Sequence, residues 1–479
     1  MKKESFYITT TIPYVNADPH IGFALELVQS DALARYNRLI GREVFFSTGT
    51  DEYGQKIWEA SQKEGKDVQA YVDFFAAEFK KLKGALGISN DMFVRTTDEH
   101  HRKAAQEMWK RCDAKGDIYK KAYKGSYCVG CESFKTEKDL DEKGQCFLHP
   151  NLKISILEEE NYFFRFSKYQ ERVLEYLSDK NTITPDWRRE EAIAFVKGGL
   201  EDFSISREKA RLVWGVPVPG DENQVMYVWF DALTNYISTL GWPEDAEGNF
   251  KKFWEDGDVV QTAGKDQVRF QSIVWQAMLM SADIKKTDKV VYHGFITSGG
   301  QKMSKSLGNV INPLDLVKEY GTDAVRYFLL RHVSPFDDSD VTLGGVKEAY
   351  NANLANGLGN LASRILTLAE KYLEKCPALS ETTDPVEYFG FFEKFDVKAA
   401  ADHTWEKISE LDKFIQITEP FKVIKINETQ GKKLISDMVV RLYEIAQMLN
   451  PLLPETGEIL KNLIKENKKP SQPLFLRRD

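Results

Sequence analysis

The feature that most restricts this chain is the stretch from Phe6 to Thr50. An apolar strand pattern (FYITTTIPYV) passes through a Pro-bounded turn into a helical pattern (ALELVQSDALARYNRLI), stops at Gly41 and re-enters a strand pattern (EVFFSTGT). This is a βαβ unit. Units of this kind build a parallel sheet whose ligands sit beyond the carboxyl ends of the strands, where His20 and Asp51 both fall. The rhythm returns after VVQTAGKD, with a helix through QSIVWQAML and a strand in KVVYHGFIT, so a second half is expected from about Met226 to Thr297. Between the halves, from about Ala114 to Leu212, the pattern breaks into short β-like pieces of mixed charge, which reads as an insertion. From about Val346 the period is helical, with a break near CPALSETTDP, and a C-terminal bundle is expected.

A chain of 479 residues is too long for a single hydrophobic core. With 42% hydrophobic and 29% charged residues the composition is that of a folded globular protein and excludes wholesale disorder. The N-terminal MKKESFYITTTIPYV is too short and too polar for a signal-peptide core or a membrane span, so a cytoplasmic protein with no membrane partner is expected. A net charge of −8 gives no global attraction to nucleic acid, so a polyanion would have to meet a local basic surface. The run Asp337, Asp338 and Asp340 reads as a solvated acidic loop.

Three of the five cysteines cluster with a histidine. Cys128, Cys131, Cys146 and His149 read C-x2-C, fourteen residues, C-x2-H, a set that closes a tetrahedral Zn2+ site with no open position, hence a structural metal. Cys112 and Cys376 lack partners at ligand spacing and read as ordinary buried thiols.

Two short motifs suit phosphate chemistry. In PYVNADPHIGFA, a helix opens near Gly22, so His20 lies beside amides able to receive a phosphate, and Gly22 leaves room for an adenine ring. Taken alone His20 would be a structural histidine; its place after the first strand favours the functional reading. In GGQKMSKSLGN, two glycines lead into a loop on which Lys302 and Lys305 set two point charges suited to polyphosphate oxygens, the alternative being a solvated basic turn. Further on, Trp229, Leu233 and Tyr236 stand at i, i+4 and i+7 and would share one helix face. An aromatic stripe is ordinarily core, but with Ile12 and Tyr14 it also suits a pocket for a thioether.

Together HIGF at 20–23 and KMSKS at 302–306 resemble the class I aminoacyl-tRNA synthetases. TIPYVNADPHIG, TGTDEYG, YVWFDALTNY, AGKD and the Cys/His cluster are similar to the methionyl-tRNA synthetase family, over nearly the whole chain. The resemblance implies an α/β fold: a parallel-sheet, nucleotide-binding (Rossmann-like) catalytic domain, an inserted zinc-bearing domain and a C-terminal α-helical bundle. The implied divisions are a first catalytic half at 1–113, the insertion at 114–212, a second half at 213–287, a KMSKS-bearing linking domain at 288–345 and an anticodon-binding domain at 346–479. It implies activation of L-methionine with ATP and Mg2+, then transfer to tRNA(Met), including initiator tRNA.

By the same resemblance, His20, Lys302 and Lys305 are catalytic, and Gly22, Gly264, Asp266 and Ile296 join them in holding ATP. Asp266 would hold a ribose hydroxyl, whereas Lys265 beside it reads equally as structural. Methionine would meet Ile12, Tyr14, Asp51, Trp229, Leu233, Tyr236, Phe270 and Gln271, with Asp51 pairing with its ammonium group. The alternative for Asp51 is a helix N-cap. In the helical region Asn356, Asn360 and Arg364 stand at i, i+4 and i+8, with Leu354, Leu358, Leu361, Ile365 and Leu368 forming an apolar stripe. Read alone, the three polar residues form a solvated face. The resemblance makes them anticodon readers, with Phe421 after Pro420 as the stacking ring.

Three positions depart from the family pattern. Phe23 stands where HIGH has its second histidine, and removing one transition-state donor typically costs about 3 kcal/mol. Either the lysines and Mg2+ carry more of that charge or the enzyme is slow or inactive. Gln271 replaces a pocket histidine, keeping hydrogen bonding without the ability to become charged, and Tyr53 replaces a frequent histidine. The insertion is too short for the large editing domain of the isoleucine, valine and leucine relatives, and no cysteine lies near His20 or Asp51 as a cysteine-specific relative would require. A silent, zinc-stabilised tRNA-binding protein is the rival from another class, opposed by the intact KMSKS. With no appended domain after the bundle, a monomer is expected.

Overall fold

Phe6, Tyr7 and Ile8 are all buried, because their strand lies inside a parallel sheet covered on both faces. The computed structural model describes residues 3–130, 133–135, 139–303, 308–380 and 386–479. The sheet has six strands in the order Met92–Arg95, Glu43–Thr50, Ser5–Thr9, Asp258–Gly264, Lys289–His293 and Ile183–Thr184. Ser5–Thr9 runs parallel to both its neighbours, Glu43–Thr50 to Met92–Arg95, and Lys289–His293 to Ile183–Thr184. Strand order reverses between Ser5–Thr9 and Asp258–Gly264, and such switch points open the crevice in which α/β sheets hold ligands.

The helix Ile21–Leu39 joins the first two strands in sequence, and Gly41 ends it at φ +82°, a left-handed value that glycine adopts without strain. By its contacts the chain divides into two units, 1–19, 42–81 and 90–292 against 20–41, 82–89 and 293–479. The long helix joins the second unit for an identifiable reason. Asp31 on its buried face is 2.7 Å from the Arg326 guanidinium, and both side chains are fully buried. Arg326 also donates to the carbonyl oxygens of Leu452 and Leu86. Burial works to raise the Asp31 carboxyl, but Arg326, Arg35 and Ser89 outweigh it and hold the group ionised, below its usual range.

Within the first unit, residues 118–128, 133–135, 155–164 and 203–204 form an antiparallel sheet in the order 133–135, 118–128, 155–164, 203–204. The stretch expected as an insertion also supplies Ile183–Thr184 to the edge of the parallel sheet. The segment expected as one strand, KVVYHGFIT, is two. Lys289–His293 stays in the parallel sheet, whereas Ile296–Ser298 pairs with Gln301–Lys302 and with Ser339–Asp340. Gly294 separates them where a Cβ would stand 2.1 Å from the Asp337 carbonyl carbon, so only glycine admits that close approach.

From Leu343 the second unit is helical among its described residues, with helices at Leu343–Ala349, Tyr350–Gly359, Asn360–Tyr372, Val386–Glu393, Val397–Thr418, Pro420–Ile426, Glu428–Leu449 and Pro454–Lys465. Leu354, Leu358, Leu361 and Ile365 are buried as their periodicity predicts, and Leu368 is half-buried.

Candidate active site

In the first unit, the residues after the first two strands are stitched together by main chain. The Asp51 N–H donates to the Pro13 carbonyl at 2.9 Å and the Val15 N–H to the Asp51 carbonyl at 3.3 Å, so Tyr14 and Asp51 pair as an extension of the parallel ladder. Asp51 is 3% exposed. It is no helix cap, since the next helix, Gln55–Lys63, begins after Gly54. The Tyr14 ring meets Trp229 edge-on at 6.3 Å, and Trp229 stacks on Phe270 at 3.9 Å with 9° between the planes. Ile12, Tyr14, Trp229 and Phe270 remain half-buried, which leaves apolar faces open to a side chain.

Trp229, Leu233 and Tyr236 do not lie on one helix as their spacing suggested. Two short helices, Val228–Ala232 and Asn235–Ser238, divide them. Leu233 and Tyr236 are consequently core residues, and the Tyr7 hydroxyl donates to the Tyr236 carbonyl at 2.8 Å. The Tyr236 hydroxyl donates to Gln271 Oε1 at 3.0 Å, which fixes the amide so that Nε2, buried and without a partner among the described residues, is left as a donor. Gly264 ends its strand at φ −65°, and Asp266 follows in an exposed turn.

Sequence reasoning missed the residues that hold Asp51 in place. The adjoining Glu52 is fully buried and takes a bidentate pair from Arg95, at 2.6 and 2.8 Å. Thr50 donates to the same carboxylate at 2.8 Å, and Trp214 Nε1 to the Glu52 carbonyl at 2.6 Å. Arg95 lies 43 positions away, and no local pattern announces the pair.

In the second unit, His20 caps the helix Ile21–Leu39 through Nδ1, which accepts the Gly22 N–H at 3.1 Å. A nitrogen that accepts this bond carries no proton, so the ring is neutral with Nε2–H as its donor. Desolvation lowers the basicity of His20 in the same direction, even though much of the ring surface remains open. A Cβ on Gly22 would stand 2.9 Å from His20 Cε1, so the glycine makes room for the capping imidazole itself. Phe23 is 8% exposed and serves the core. Ile296 is buried in its strand, and the main chain of Lys302 pairs opposite Thr297. Lys305 lies outside the described residues.

His293 was missed as well. Its Nε2 is 2.8 Å from Glu26 on the helix Ile21–Leu39, and Nδ1 is 2.8 Å from the Gly294 carbonyl. The acidic run is exposed as expected but is far from idle: Asp338 accepts the Phe295 N–H, and Asp340 accepts the Gly300 N–H and the Thr297 hydroxyl, each at 2.8 Å.

The sulfurs of Cys128 and Cys146 and a ring nitrogen of His149 lie within 4.8 Å of one another, both thiols buried. Cys128 Sγ is 3.9 Å from His149 Nδ1. Bonds of about 2.3 and 2.0 Å to one tetrahedral metal would bring such a pair to about 3.6 Å, so the donors fit with little movement. A Cβ on Gly130 would stand 2.4 Å from the His149 ring, and the glycine thus keeps the imidazole in place. Cys131 lies outside the described residues.

Asn356, Asn360 and Arg364 are all exposed, and the Arg364 guanidinium is 2.5 Å from Asp412. Phe421 is 42% exposed, one residue after Pro420 opens its helix. No described helix is long and apolar enough to cross a membrane.

The family described as tRNA synthetases class I (M) matches residues 6–153 and 145–366. The methionine–tRNA ligase of Fusobacterium nucleatum is 41% identical over 479 residues, covering 96% of this chain and 74% of the relative. That of Thermotoga maritima is 41% identical over 485 residues, covering 98% and 76%. A solved structure of Mycobacterium tuberculosis methionyl-tRNA synthetase in complex with methionyl-adenylate is 34% identical, covers all of both chains and superposes with a TM-score of 0.91.

Proposed function

The chain belongs to the class I tRNA synthetases (M), the methionine–tRNA ligases, and we propose how its residues divide the reaction that membership assigns. It activates L-methionine with ATP to methionyl-adenylate and pyrophosphate, then transfers the methionyl group to tRNA. The first step is attack of the methionine carboxylate oxygen on the α-phosphorus, in line with the departing pyrophosphate. No covalent nucleophile is needed, so positioning and charge stabilisation carry the catalysis.

In this reading Asp51 receives the methionine ammonium, and its burial gives the ion pair more weight than it would have in water. Ile12, Tyr14, Trp229 and Phe270 enclose the thioether side chain, with Leu233 and Tyr236 as the floor behind them. Gln271 Nε2 is the remaining donor in that wall. What supports the assignment most is the Tyr14–Asp51 bridge, which sets an acid and an aromatic wall together beyond the strands' carboxyl ends.

Neutral His20 donates from Nε2 to a phosphate oxygen, and Lys302 and Lys305 take the remaining negative charge. Gly22 and Gly264 line the nucleotide, Asp266 holds a ribose hydroxyl and Ile296 backs the base. Mg2+ bound with ATP would neutralise phosphate charge. Because Phe23 is a core residue, the lysines carry a larger share of the transition-state charge than a second histidine would leave them.

Cys128, Cys131, Cys146 and His149 hold one structural Zn2+, whose closed set of ligands ties the ends of a loop that has little core of its own. Asn356, Asn360, Arg364 and Phe421 read the anticodon of tRNA(Met), initiator tRNA included, the ring stacking on a splayed base. The five-part division, with 1–113, 114–212, 213–287, 288–345 and 346–479 as its parts, follows the same assignment, as do a cytoplasmic location and a monomer.

Methionine-dependent exchange between ATP and labelled pyrophosphate tests the reading. Lys305→Ala should lower the exchange rate by about a hundredfold or more, the loss of one transition-state cation. Exchange supported by isoleucine or cysteine and not by methionine would overturn the pocket assignment, and an unimpaired Lys305→Ala the assignment of that lysine.

A further inference from the structure

The segment that leads into KMSKS is gripped from outside by the acidic run. At Gly294 the main chain passes against the Asp337 carbonyl group, closer than any side chain would allow. One residue on, the Phe295 N–H donates to the Asp338 carboxylate at 2.8 Å. Ile296 and Thr297 then pair in parallel with Ser339 and Asp340. The chain reverses through Gly299 and Gly300, at φ +63° and +72°, and returns with Ser298 opposite Gln301 and Thr297 opposite Lys302. Two consecutive residues in the left-handed region make the tight hairpin turn that suits twisted strands.

A pair of glycines has no intrinsic preference for that turn over many others, so something must select it. Asp340 does so: one carboxylate oxygen accepts both the Gly300 N–H and the Thr297 hydroxyl, at 2.8 Å each. The bonds tie the turn to the strand it leaves. Once they are made, the hairpin register fixes the main-chain position of Lys302.

We propose that Asp340, assisted by Asp338, is a positioning residue for adenylate formation, fixing the glycine hairpin and through it the main-chain position of Lys302. It touches no substrate. The inference rests on reading Lys302 as a phosphate ligand. Its carboxyl is held below the usual range by the Gly300 and Thr297 bonds, so it stays an ionised acceptor wherever the enzyme works. Asp337 supplies an internal control, being in the same exposed run with a carboxylate that accepts no hydrogen bond from the described residues.

The test compares Asp340→Ala, Asp340→Asn and Asp337→Ala in pyrophosphate exchange, varying ATP and methionine separately, with thermal melting of each variant. Asp340→Ala should lower kcat/KM for ATP about tenfold, the loss of hydrogen bonds to a charged acceptor, with KM for methionine unchanged. Asp340→Asn, whose amide oxygen still accepts both bonds, should recover most of that loss, and Asp337→Ala should match the parent. Trypsin should cut after Lys302 faster in Asp340→Ala than in the parent, a readout that needs no activity. The proposal is overturned if Asp340→Ala leaves the ATP constants and the trypsin rate alone. It also fails if the variant weakens ATP and methionine in parallel with a lowered melting temperature, or if Asp340→Asn is as impaired as Asp340→Ala. A parent protein with no methionine-dependent exchange would count against the functional reading instead, and the trypsin comparison would still decide for or against the Asp340 restraint.

Discussion

Around Asp51 the chain is fixed by burial. Glu52 sits fully inside the protein with Arg95 clamped to both of its oxygens, and Trp214 pins its carbonyl. Between Gly294 and Lys302 comparable placement is achieved in the open, by exposed carboxylates accepting main-chain N–H groups and by a turn of two glycines. A buried ion pair resists small perturbations and tolerates no deletion, because the surviving charge has nowhere to go. Exposed bonds add little to global stability and can be lost without unfolding the chain. In the proposed division of the reaction, the first arrangement suits an acid that must be in place before substrate arrives, the second a segment that meets a polyphosphate and must later release one.

The sharpest way to break this contrast is to remove one partner from each region. Arg95→Ala strands the fully buried Glu52 carboxylate and should cost about 3 kcal/mol or more in urea unfolding, whereas Asp340→Ala should leave the unfolding midpoint where it was. Equal midpoints for the two variants would mean the difference in burial has no energetic consequence.

A smaller effect is expected on binding. Trp229→Ala removes the ring stacked on Phe270 and facing Tyr14, and should raise KM for methionine by about tenfold with little change for ATP, an aromatic contact and its buried area being worth about 1.5 kcal/mol. A shift in the ATP constant instead would place the stack elsewhere in the reaction.

The last expected effect is a slope against pH. His101 is fully buried, its Nδ1 2.9 Å from the Ser238 hydroxyl. Burial first, then His100, pushes its pKa down to about 3 from 6.5. Between those values the unfolded chain binds a proton that the folded chain refuses, so stability is full above pH 6.5 and falls as pH drops toward 3. His101→Gln should flatten that part of the stability profile, read as the difference in urea midpoint between parent and variant. The Asp340 carboxyl, lowered below its usual range, should contribute no slope across the upper part of this window.

Much of the fold was readable because it rests on local periodicity. The strand Glu43–Thr50 coincides with the stretch EVFFSTGT, Gly41 stops the helix at a left-handed φ, and the leucine stripe from Leu354 to Ile365 is buried. The sulfur and imidazole donors at 128, 146 and 149 converge as their spacing implied, since two short turns bring them together whatever surrounds them. Other features were not readable. KVVYHGFIT looks like one strand because nothing in its own residues reveals the Asp337 main chain waiting at Gly294. The stripe at Trp229, Leu233 and Tyr236 has helical spacing, yet packing divides it between two short helices.

What the sequence determined by itself is therefore the βαβ rhythm, the helical C-terminal region, the spacing of the Cys/His cluster and the occurrence of the HIGF and KMSKS motifs. Periodicity, glycine stops and short ligand spacings act over a few residues, and a chain carries them whatever its final packing. Only the tertiary structure decided that Glu52 meets Arg95, that Asp31 meets Arg326, that His20 caps its helix as a neutral ring, and that the acidic run holds the hairpin before Lys302. Each of these pairs a group with a partner chosen by the folded path. A buried or hydrogen-bonded charge is satisfied by whatever that path brings within 3 Å, and local sequence carries no record of it.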